Sequence, residues 1–100
     1  MTAAEMLTRL DEAKEVISSL PPNTSILTVE VDGLGKVTEQ DYSYIHIAEP
    51  LQLLADAGVI EAGSWVTEDN PELENLEDRI LINGFSVIYL RKRNEAAPGP

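Results

Sequence analysis

The sequence predicts an α+β domain of two layers: one antiparallel sheet of about four strands with two helices on one face, in the order α-β-β-α-β-β. Three observations carry this. A 3.6-residue apolar period opens the chain, two segments alternate strictly between apolar and polar residues, and an Asn-Gly pair separates two apolar runs near the end. One antiparallel sheet with both helices on one side is the simplest way to bury these faces.

The first element is a helix over residues 2–20. Thr2 and Glu5 have capping-box spacing. Met6, Leu10, Ala13, Ile17 and Leu20 recur on one face, with Leu7 and Val16 widening the stripe, and Glu5–Arg9 is a favourable i,i+4 pair. Pro21-Pro22 ends it. Residues 25–32 then read as a strand with Leu27, Val29 and Val31 on one face. Gly33-Leu34-Gly35-Lys36 is a turn, and residues 42–47 form a second strand. There Ser43, Ile45 and Ile47 share one face, and Tyr42, Tyr44 and His46 the other.

A short helix follows Pro50, with Glu49 complementing its dipole, Leu51, Leu54 and Ala55 inward, and Gly58 as C-cap. Trp65-Val66 is a short strand or loop. Residues 68–78 are an exposed loop, with or without one helical turn after Pro71. Asn83-Gly84 predicts a type I′ turn joining residues 79–82 to 85–90, since both central residues tolerate positive φ. The last strand is apolar on both faces, which fits either a central position or an outer sheet face covered by a second subunit, and leaves a homodimer open. Residues 1–93 are expected to form one domain and residues 94–100 a disordered tail.

Composition bounds the function. The chain has 100 residues, 43% apolar and 25% charged, which suits one globular domain with a modest core. Without cysteine it has no disulfide and no thiolate metal site. No long apolar run predicts a membrane span, and the first residues lack the pattern of a signal peptide, so a cytoplasmic location is the expectation. The net charge of −11 argues against direct nucleic-acid binding.

That charge is unevenly placed. Between Lys36 and Arg79 lie eleven acids and no base, and six of the acids fall in the run Glu68, Asp69, Glu72, Glu74, Glu77 and Asp78. Such a stretch steers a basic partner, most simply a protein surface built to hold nucleic-acid phosphates. Neighbouring Trp65 either plugs the edge of the core or serves as an aromatic anchor for the partner. A plain solvated loop is the alternative. A calcium loop starting at Asp69 fails, because Pro71 and Leu73 fall where oxygen ligands belong and Glu74 where glycine is required.

Other chemistry is sparse. Gly33-Leu34-Gly35-Lys36 fits neither phosphate-binding fingerprint: Thr38 replaces the third glycine of one, and Val37 follows the lysine of the other. His46, the single histidine, has no motif joining it to a nucleophile, so no enzyme, metal or cofactor is expected. Tyr42, Tyr44 and His46 make either a packing row or an aromatic binding face. Arg91, Lys92 and Arg93 either blunt a strand end, bind an anionic ligand together with that face, or meet the acid run of a neighbouring subunit.

The opening MTAAEMLTRLDEAKEVISSLPPNTSILTVEVDG, the strand and helix YIHIAEPLQLLADAG, and the closing hairpin RILINGFSVIYLRK together resemble small proteins encoded by phages and prophages. The resemblance is one of architecture across most of the chain. Proteins of that kind include binders that block host defence, among them anti-CRISPR proteins, some of which look like acidic mimics of nucleic acid. It implies a non-catalytic acidic binder that inhibits a host defence or nucleic-acid-handling complex through its negative middle segment. A binding protein that sequesters a nucleotide-type small molecule, or a structural protein of a mobile element, is the other class of answer.

Overall fold

The computed structural model describes residues 2–31, 43–69, 71–72 and 74–93. It is an α+β fold of two layers, with one five-stranded sheet and two helices on one face. The turn expected at residues 33–36, Tyr42 and the tail expected at residues 94–100 lie outside the described residues.

Helix α1 spans Ala3–Ser19, with the Thr2 hydroxyl accepting the Glu5 backbone N–H at 3.1 Å. Ala13, Val16 and Leu20 form its buried face, while Leu7, Leu10 and Ile17 stay exposed. The apolar stripe is too wide for one sheet contact, so only one flank of it is covered. Arg9 does not pair with Glu5 as expected. It turns inward, pairing with Glu12, donating to the Ser43 hydroxyl at 2.6 Å and stacking 4.6 Å from the Phe85 ring centroid.

Strand β1 (Ile26–Glu30) pairs antiparallel with β2 (Tyr44–Ile47). A bulge between Ile26 and Thr28 breaks the alternation, so Ile26 rather than Leu27 stands opposite Ile47. Helix α2 (Leu51–Asp56) buries Leu51 and Leu54 completely. It ends as predicted at Gly58, whose φ is +78°. Gly58 N–H donates to the Ala55 carbonyl at 3.0 Å and Val59 N–H to the Leu54 carbonyl at 2.9 Å, the two bonds of a Schellman motif. Glu49 has a further role, accepting the Ser25 backbone N–H with both carboxylate oxygens at the entry to β1.

The remaining strands are β3 (Val66–Glu68), β4 (Asn75–Ile82) and β5 (Phe85–Lys92), in spatial order β1-β2-β5-β4-β3. Asn83 and Gly84 both have positive φ, 48° and 80°, so the β4–β5 turn is type I′. Two differences from expectation matter. The sheet is not wholly antiparallel, because β2 and β5 run parallel. Nor are residues 68–78 all loop, because Glu68 ends β3 and residues 75–78 begin β4.

β5 is central: Phe85, Val87 and Tyr89 face the helices, and Ile88 and Leu90 lie on the opposite face, where Leu90 is exposed. Ile45, Ile47, Phe85 and Val87 meet α1 and α2 in a fully buried core, and Trp65 packs half-buried against it. Each such side chain contributes roughly 1.5–3 kcal/mol through burial.

Candidate functional site: the open face of the sheet

With both helices on one side, alternation leaves the other sheet face uncovered. Tyr44 and His46 of β2, Ser86, Ile88 and Leu90 of β5, and Glu77 and Arg79 of β4 line a groove of about 400 Å³ there. Ile88 and Leu90 give it an apolar floor, and its rim is polar. The parallel pairing sets Tyr44 beside Ser86 and His46 beside Ile88. The Tyr44 hydroxyl donates to a Glu30 carboxylate oxygen at 3.4 Å, and that negative charge raises the Tyr44 pKa above 10.0. Arg79 pairs with Glu68 on β3 and lies 3.8 Å from Glu77. Glu77 lines the groove, and Glu30 and Glu68 are bonded to its lining residues Tyr44 and Arg79.

The predicted acid run does not stand together as one exposed loop. Asp78 is the clearest correction, being fully buried in β4 on the helix side. Its carboxylate accepts from Arg91 Nε at 2.9 Å, from a second Arg91 nitrogen at 3.3 Å, and from the Thr67 hydroxyl at 2.7 Å. A buried carboxylate with these partners is closed to a docking protein. Asp69 lies 2.5 Å from Arg93. Glu72 and Glu74 are exposed between β3 and β4.

Two members of the basic triplet are likewise paired. Arg91 is buried against Asp78 and Arg93 meets Asp69, while Lys92 is exposed opposite Asn75. Arg91 and Arg93 thus meet acids of the run within the same chain. Residues 68–93 contain six acids and four bases, a net charge of only −2.

Comparison with protein-family models, curated proteins and solved structures finds no match. The site must therefore be judged on its own residues. Among the described residues there is no group of three His, Cys, Asp or Glu side chains that could hold a metal ion. Nor is any described helix long and apolar enough to cross a membrane.

Sequence reasoning placed Tyr44 and His46 on one face, and the structure brings them into the groove. It missed Ile88, Leu90, Glu77 and Arg79 as their neighbours there. The signal for those four was partly present: a type I′ turn at residues 83–84 fixes which residues of the last two strands share a face.

Proposed function

We propose that this chain is a non-catalytic binding protein whose open sheet face receives a basic segment of a partner protein. The groove carries the proposal. Its Ile88 and Leu90 supply apolar contact, and Glu77 in its lining, with Glu30 and Glu68 bonded to the lining residues Tyr44 and Arg79, selects positive charge. The exposed Glu72 and Glu74, together with the overall charge of −11, add long-range attraction. In keeping with the resemblance to small phage-encoded binders, the partner we infer is a host nucleic-acid-handling or defence complex. Occupation of its phosphate-binding surface would exclude nucleic acid. The anionic-ligand alternative is less favoured, because Arg79, Arg91 and Arg93 already face carboxylates.

The test is capture from bacterial lysate on immobilised chain, followed by elution with duplex DNA and, separately, with salt. The expected result is a discrete basic protein released by both. A triple variant, Glu68→Gln, Glu77→Gln and Leu90→Gln, should lose it while circular dichroism stays unchanged. Equal retention by that variant would refute the proposal.

A further inference from the structure

Helix α1 has a second apolar face that its own sheet does not use. Leu7 is 63% exposed, Leu10 47% and Ile17 38%, although Ala13, Val16 and Leu20 on the same helix are buried. With Lys14, the exposed set follows the spacing 7, 10, 14, 17, the three-four alternation of a coiled-coil seam. At 100° per residue these four positions span an arc of about 80°.

Glu15, on another side of the helix, accepts from Asn83 in the β4–β5 turn at 3.1 Å. The seam lies on a different side of the helix from both Glu15 and the buried Ala13, Val16 and Leu20. Among the described residues β1 is an edge strand of the sheet, and all five of its residues are exposed. Ile26 and Val29 are exposed there, although they stand opposite the fully buried Ile47 and Ile45. An uncovered apolar helix flank is a surface that natural proteins cover.

We infer that the covering element is α1 of a second copy of this chain, packed antiparallel along the seam. The seam is self-complementary in that direction: Leu7 meets Ile17 of the second copy, and Leu10 meets its Lys14. Lys14 then stands beside Asp11 of the second copy, twice by symmetry. A parallel pair would instead set the two Lys14 side chains against each other. A lone lysine in an apolar seam is a known means of fixing register and orientation. Arg9, the other base of α1, is turned inward onto Phe85, so Lys14 is the one base that α1 presents outward.

The contact is on the helix side of the sheet, so it stands independently of the groove on the other face.

Sedimentation equilibrium of the full chain across the micromolar range tests it. The expected mass is twice the 11.0 kDa of one chain. Leu10→Gln with Ile17→Gln, both at exposed positions, should weaken the dissociation constant on the order of 100-fold, since each substitution counts twice in a symmetric contact. Lys14→Glu should also weaken it, and adding Asp11→Lys should restore it. A mass of 11.0 kDa throughout would overturn the inference. So would a dimer untouched by the paired Gln substitutions, which would place the contact elsewhere. Failure of Asp11→Lys to rescue Lys14→Glu would overturn the antiparallel second copy as the occupant.

Discussion

Replacing Asp78 with Leu should be among the most damaging single changes in this domain, and the structure sets the scale. Asp78 is fully buried, and the Arg91 side chain is only 10% exposed. Two Arg91 nitrogens and the Thr67 hydroxyl converge on the Asp78 carboxylate within 3.3 Å. Removing the carboxylate leaves a guanidinium without water and without its counter-charge, a loss of about 3–5 kcal/mol. For a domain of this size each kcal/mol lowers Tm by about 4–8 °C, so the melt should fall by at least about 12 °C.

Arg91→Met alone strands the carboxylate and should cost a similar amount. The double variant, Asp78→Leu with Arg91→Met, strands neither charge and fills the space with apolar groups. It should recover most of the loss, because a buried pair is worth little against a well-packed apolar replacement. Urea unfolding of the four proteins gives the coupling energy directly. Single variants that each cost less than about 1 kcal/mol and simply add in the double would refute the reasoning, since pairing would then not be what holds this corner of the sheet.

Three further outcomes are expected. Gly84→Val forces a β-branched residue to a φ near 80° and should cost roughly 1 kcal/mol or more, read by thermal melts; an unchanged melt would count against the type I′ turn. Glu30→Gln removes the charge beside Tyr44, so ultraviolet titration should show one tyrosine ionising at lower pH than in the parent; superimposable titrations would mean the Tyr44–Glu30 contact does not persist in solution. Replacing Glu68, Asp69, Glu72 and Glu74 together with Gln or Asn should weaken binding to the captured partner and flatten its salt dependence, because screened attraction supplies the steering; an unchanged salt slope would make the run a solvated surface only.

Much of the fold was legible because local chemistry decides it. The Thr2 cap, the Pro21-Pro22 stop, the Gly58 cap and the Asn83-Gly84 turn each act through their own backbone geometry. The parallel pairing of β2 with β5 was not legible, since α2, β3 and β4 intervene and no short-range pattern selects one neighbour for a strand apolar on both faces. The α1 stripe misled for a different reason: seven apolar positions mark a broad surface, and only the packing chooses Ala13, Val16 and Leu20 as the part that meets the sheet.

Asp78 lay in between. Once the turn pairs Ile82 with Phe85, the antiparallel register opposes Asp78 to Tyr89 and Leu76 to Arg91. Asp78 and Arg91 are therefore diagonal neighbours on one face, within reach of long side chains. Charge counting along the chain hid this, because it treats residues 68–78 as a block apart from the bases that follow. Folding puts those bases alongside.

That placement changes what a partner would meet. Exposed pairs such as Glu68–Arg79 and Asp69–Arg93 contribute only about 0–1 kcal/mol to the fold. They can open at little cost, so a basic side chain entering the groove could replace Arg79 at Glu68, and Arg79 could then turn to Glu77. The buried Asp78–Arg91 pair cannot exchange in this way without exposing the sheet. The acid run thus divides by solvent access into a structural member and adjustable ones. Recognition through this surface would be sensitive to the exposed glutamates and indifferent to Asp78, except through stability.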